Sequence, residues 1–144
     1  MDEDIAGQDG QTPAPVAPLY FSRTYDETMS LLNEARTCIM RFSDEPGMSV
    51  PARLTFSRET MRLTTRLTSV MAWLLAQRAV LAGEITPQHA ASEAHALTAR
   101  DLCLAEADDE DAALLPGEIR TLMDKSLSLY ARVARLEDQF RKSA

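Results

Sequence analysis

The chain is poor in the residues that make tight turns and reactive centres. It has 5 glycines and 7 prolines in 144 residues, too few for an all-β protein built on hairpin turns. Aromatic residues make up 6%, with a single tryptophan. There are two cysteines, Cys38 and Cys103, 65 positions apart and not at metal-ligand spacing from either histidine. Two such thiols, with no export signal, read as reduced and structural. No apolar run approaches the ~20 residues that span a bilayer. The start, Met1-Asp2-Glu3-Asp4, is acidic where a secretion signal is basic and then apolar. No glycine-rich phosphate loop, GxSxG or HExxH occurs. Basic charge is also short, at 15 Lys and Arg against 22 Asp and Glu, a net −7. Such a chain repels phosphate backbones and anionic membranes, so no nucleic-acid or membrane partner is expected. The expected location is cytoplasmic.

What is present is helical patterning. Hydrophobic residues are 45% of the chain and charged ones 26%, and the length suits one domain with one core. Residues 1–18, with Pro13, Pro15 and Pro18, read as a disordered, Pro-rich acidic tail. Residues 19–144 read as a helical bundle domain. Tyr25, Met29, Leu32, Ala35, Ile39 and Phe42 recur at 3–4 residue steps, which predicts a helix over about 22–42. Thr24 and Glu27 have the spacing of a capping box. Pro46-Gly47 ends this element. Leu63, Leu67, Val70, Met71, Leu74 and Leu81 predict a second helix over about 57–82, with Gly83 as its left-handed cap. Thr86-Pro87 starts a short alanine-rich helix reaching about Arg100, and Glu106–Asp111 reads as an acidic loop. Ile119, Leu122, Ser126, Leu129, Val133, Leu136 and Phe140 alternate 3 and 4 apart, a coiled-coil seam on a last helix that runs to about residue 140. The fold class expected is all-α: a three-helix bundle with an additional short helix, packed up-down-up.

Chemistry is scarce. His89 and His95 are six apart, about 600° around a helix, and do not share a face as a metal pair would, so no metal or cofactor is expected. A histidine phosphotransfer bundle needs an exposed histidine midway along a long helix, which neither supplies. Arg36 and Arg78 fall on apolar faces, where a guanidinium needs a partner or a route to solvent. In an up-down-up bundle, Glu118 is the expected partner of Arg78, and Glu137 or Glu59 that of Arg36. The alternative reading of these two arginines is an anion pocket in a small all-helical enzyme. Trp73 lies about 120° from the centre of the second helix's apolar face. With Arg62, Arg66 and Gln77 beside it, it has the composition of a partner-binding hot spot, unless the short fourth element covers it. Leu122, Leu129 and Leu136 on the last seam are the expected dimerisation residues.

The runs Glu59-Thr-Met-Arg-Leu-Thr-Thr-Arg-Leu67, Ala72-Trp-Leu-Leu-Ala-Gln-Arg-Ala-Val80 and Gly83-Glu-Ile-Thr86 resemble the alphaproteobacterial family of regulators of CtrA degradation, the RcdA-like proteins. Leu115-Pro116, Lys125-Ser-Leu-Ser-Leu129 and Arg132-Val-Ala-Arg-Leu136 extend the resemblance, and Tyr25, Glu27, Met29 and Glu34 fit it more loosely. The resemblance implies a homodimeric three-helix bundle without enzymatic activity. It implies an adaptor for the ClpXP protease that binds once the response regulator CpdR has primed it. Cargo such as CtrA is presented directly or through the further adaptor PopA, and the adaptor gathers at the cell pole. Family members can carry a flexible segment after the last helix, whereas this sequence ends a few residues after Phe140.

Overall fold

The computed structural model describes residues 16–143. The tail expected over 1–18 falls outside them up to residue 15, and residues 16–18 form the first turn of a helix. The described residues are all-α. Three long helices, α1 (Val16–Ser43), α2 (Val50–Leu81) and α6 (Gly117–Ser143), form the bundle. Between α2 and α6 run three short helices: α3 (Pro87–Ala90), α4 (Arg100–Leu104) and α5 (Asp109–Ala113). A 3-10 turn at Glu93–His95 follows α3.

The element ends follow from local chemistry. α2 begins at Val50, seven residues before the expected start at about residue 57. Ser49 caps it by accepting from the Ala52 amide at 3.2 Å, and Pro51 sits in its first turn. At its other end Gly83 adopts φ 77°, while the Glu84 amide donates to Ala79 and that of Gly83 to Val80. That is the Schellman closure, and the positive φ is why glycine stands there. Thr86 caps α3 through the His89 amide at 3.0 Å, as Thr86-Pro87 predicts, but α3 ends after one turn. The capping box expected at Thr24 does not form. Thr24 lies buried inside α1, and its carbonyl accepts from the Thr28 hydroxyl at 2.7 Å.

The core is the inner stripe of each long helix: Leu31 and Ala35 from α1, Leu63, Leu67, Val70 and Leu74 from α2, and Ile119, Leu122, Leu129 and Val133 from α6. The α6 seam is therefore spent within the chain. Leu122 and Leu129 are buried and Leu136 is half-buried. These residues are not a free dimerisation face, because a three-helix bundle needs that stripe inward.

The direction of α6 also differs from the up-down-up expectation. The N-terminal end of α6 lies beside the C-terminal end of α1, where Arg41 meets Glu118 at 2.5 Å. Its C-terminal end lies beside the start of α1, where Phe140 meets Phe21 with ring centroids 6.0 Å apart. So α6 runs parallel to α2, and the 35 residues between them climb back along the length of the bundle. That order places Arg78 and Glu118 at opposite ends. Arg78 instead lies 5.7 Å from the ring centroid of Tyr25. Arg36 is exposed and pairs with neither Glu59 nor Glu137.

Candidate functional site

The return crossover lies over the groove between α2 and α6, and its contacts are largely polar. Arg66, 1% exposed, sits halfway along α2. Its Nε donates to the Cys103 carbonyl at 2.8 Å, and Nη2 to the Ala105 carbonyl at 2.8 Å. Nη1 donates to the Met123 carbonyl at 3.0 Å and to the Ser126 hydroxyl at 3.1 Å. One planar guanidinium thus ties the end of α4 to α6, a use of the fork that an ammonium cannot copy. Burial holds its pKa below the usual arginine range. Three further groups hold the segment before α4. Ser69 Oγ accepts from the Thr98 amide at 2.9 Å, and the Tyr130 hydroxyl donates to the Thr98 carbonyl at 2.8 Å. Glu137 accepts from the Leu97 amide at 2.8 Å and pairs with Arg100. Arg100 also donates to Asp138 at 2.9 Å and holds that carboxyl below its ordinary pKa.

Above Arg66, buried Glu59 takes Arg62 at 2.7 Å and Arg58 at 3.0 Å. Arg58 reaches on to Asp111 of α5 at 2.8 Å. The acidic stretch is thus no simple loop. Asp108 caps α5 by accepting from the Asp111 amide at 2.8 Å, and Asp111 docks it. A cleft of about 250 Å³ opens here, lined by Glu59, Arg66, Glu106, Asp109, Arg120 and Asp124. At the far end Trp73, 2% exposed, packs against Phe21 and Phe140 with centroids 6.0 and 5.8 Å away. A groove of about 210 Å³ beside it is lined by Trp73, Gln77, Val80, Ala90, Phe140 and Arg141.

The sequence grouped Arg62, Arg66, Trp73 and Gln77 as an exposed partner-binding patch. The structure does bring them onto one face of α2, but all four are buried. The reason is the crossover, which makes a third neighbour for α2 beyond the two that a simple bundle supplies. Sequence reasoning missed Ser69, Tyr130 and Arg100, and offered Glu137 to Arg36, whereas it pairs with Arg100. The available signal was Tyr130, Ala134 and Glu137 at i, i+4 and i+7, a second α6 face ending in a carboxylate. Arg36 and Arg78 lie far apart along the bundle and form no common anion pocket. His89 and His95, expected on different faces, touch with ring centroids 4.9 Å apart, because the helix breaks between them. Among the described residues no group of three His, Cys, Asp or Glu is placed to hold a metal ion, and no helix is long and apolar enough to cross a membrane.

Burial raises the pKa of the Cys103 thiol and the Tyr130 hydroxyl. Burial, and then the hydrogen bond to Glu118, does the same for Cys38. The folded chain holds these protons more tightly than the unfolded one. Their contribution to stability is therefore complete below the ordinary thiol value of 9.0 and is lost as pH rises above it. Urea midpoints should be level from pH 7 to 8.5 and fall from pH 9 to 10.5 at constant m. A midpoint that does not move would mean that these groups ionise as freely folded as unfolded.

Comparison with known proteins gives two findings. A family model described as "Protein of unknown function (DUF1465)" matches residues 14–144. Among solved structures, the chain is similar to RcdA from Caulobacter crescentus CB15, at 36% identity and a TM-score of 0.64, over 83% of this chain and 89% of that one. No curated protein matches.

Proposed function

The chain belongs to the DUF1465 family and is RcdA-like, and from that premise we propose that it is a non-enzymatic adaptor of regulated proteolysis. It docks on ClpXP primed by CpdR and holds cargo such as CtrA beside the protease, directly or through PopA. It acts in the cytoplasm, and the same contacts draw it to the cell pole. The observation that carries this reading is the 36% identity to RcdA over 83% of the chain. The geometry is in keeping with it. Arg66, Ser69, Tyr130 and Glu137 all spend hydrogen bonds on main-chain groups of the crossover. They build a scaffold, and the work is left to its surface. Tethering makes the encounter of cargo and protease intramolecular, which yields gains of about 10²–10⁴ without new chemistry.

The test is reconstitution with purified ClpXP, CpdR, PopA and CtrA. Adding this protein should raise the initial rate of CtrA loss at least about tenfold, saturably, and only with CpdR present. An unchanged rate at saturating protein would overturn the proposal.

A further inference from the structure

Arg62, Arg66, Ser69 and Gln77 are the buried polar side chains on the α2 face that the crossover covers. Three of them are spent. Arg62 pairs with Glu59, while Arg66 and Ser69 bond to main-chain groups of the crossover. Gln77, one turn beyond Trp73, is the one left over. It is 7% exposed, and its side-chain amide makes no hydrogen bond among the described residues, although a buried amide is normally bonded. Gln77 lines the groove of about 210 Å³ beside Trp73, so the amide is presented there. The groove is otherwise mostly apolar, walled by Trp73, Val80, Ala90 and Phe140. Glu137 borders it too, but that carboxylate is taken by the Leu97 amide and Arg100. Arg141 is exposed where it lines the groove and forms no ion pair among the described residues. A volume of about 210 Å³ is below the ~300 Å³ at which small-molecule pockets begin. It holds one residue, not a nucleotide or a helix.

We infer that this groove binds the carboxy-terminal residue of a partner polypeptide. An aliphatic side chain of leucine's size lies against the apolar walls, and the α-carboxylate lies between Gln77 and Arg141. The chemistry of the groove selects that occupant. Gln77 offers both a donor and an acceptor. Its amide nitrogen donates to the carboxylate, and its Oε1 accepts the N–H of the same terminal residue. Arg141 supplies the charge, in a planar fork that takes a carboxylate with two parallel hydrogen bonds. In a chain of net charge −7 an anion needs such a local cation to approach at all. Other occupants use only part of the site. An internal peptide segment brings no charge to Arg141. An inorganic anion gains nothing from the apolar walls. A free aliphatic acid matches the walls and Arg141 but leaves the Gln77 acceptor unpaired. This assignment does not depend on the adaptor reading.

The test follows the fluorescence anisotropy of the peptide Gly-Gly-Ala-Leu, labelled with fluorescein at its amino end, as the full chain is added. The rise should be saturable, with a Kd on the order of 100 µM, as suits a contact of one residue. Unlabelled acetyl-Gly-Gly-Ala-Leu should displace the probe. The same peptide with its carboxylate amidated should do so at least about 10-fold less well, and so should isovalerate, which has the side chain and carboxylate but no N–H. Arg141→Gln and Gln77→Leu should each weaken binding about 10-fold. Both variants should melt with wild type, since Arg141 is exposed and Gln77 has no hydrogen bond to lose among the described residues. The absence of a saturable rise, or displacement by the amidated peptide or by isovalerate as strong as by the free peptide, would overturn the assignment. So would wild-type affinity in the Arg141→Gln or the Gln77→Leu variant.

Discussion

Arg66→Met should cost about 3 kcal/mol of unfolding free energy and lower Tm by about 10 °C. The side chain makes charge-assisted hydrogen bonds to the carbonyls of Cys103 and Ala105, each worth about 1.5–3 kcal/mol. Methionine matches much of the shape and donates nothing, so both carbonyls lose this partner. Met123 loses less, since the Ser126 hydroxyl also donates to its carbonyl at 3.0 Å. Against this loss stands relief from burying a charge, the same effect that lowers the Arg66 pKa. The balance is destabilising because removal leaves unpaired acceptors, not an apolar site. A domain of this size shifts by about 3–5 °C per kcal/mol. Arg66→Lys should recover less than half of the loss, because an ammonium on a flexible stem cannot serve four acceptors in a plane. The damage should be local first. Hydrogen exchange at residues 97–105 should speed up before that of the α2 and α6 cores. A melt within 1 °C of wild type would mean that Arg66 is a surface contact and that the crossover is held by other groups.

Much of this architecture is legible in the sequence. Apolar residues at 3–4 residue steps mark α1, α2 and α6, since burying one stripe per helix is what stabilises a bundle. Gly83 and Thr86-Pro87 mark ends where backbone chemistry admits few residues. What stays hidden has physical causes. Periodicity reports which side of a helix is apolar and is blind to helix direction, so the parallel run of α2 and α6 could not be read from it. That direction was encoded in the length of the connection, since 35 residues are more than a hairpin needs. A helical wheel gives the angle of Arg62, Arg66, Trp73 and Gln77 but not what lies across from them. The crossover that buries them shows weak periodicity, being held through main-chain groups that any sequence carries. The reverse error occurred at Leu122 and Leu129, where a regular seam suggested a second copy and the core of the same chain took it. Conversely, Met71 and Leu81 were counted with the α2 core stripe, yet Met71 lies at its edge and Leu81 is exposed, because a wheel gives the direction of an apolar face but not how much of its width the neighbours cover.

Trp73→Ala should be the most destabilising single truncation, at about 3–5 kcal/mol. The indole is the largest fully buried side chain, in edge-on and tilted contact with Phe21 and Phe140. It joins the beginning of α1, the last third of α2 and the end of α6. Removing it deletes the transfer term of a large aromatic and leaves a void walled by the Phe21 ring on α1 and the Phe140 ring on α6, which cannot collapse together without shifting the helices. Pair geometry among aromatics adds about 0.5–1.5 kcal/mol beyond area. Far-UV helicity at 20 °C should be retained while Tm falls by more than 10 °C. As the chain's one tryptophan, Trp73 is also its own reporter. Its emission should be blue-shifted in the folded wild type and move to the red at the same urea concentration at which helicity is lost. A partner-contact role makes the opposite forecast, with an unchanged melt, weakened association and red emission from the start. Thermal melts of Trp73→Ala and Trp73→Phe separate the two. If the alanine variant melts with wild type, the indole is not part of the core. If the phenylalanine variant restores most of the stability, the end of the bundle is held by an aromatic plug and not by a specific indole contact.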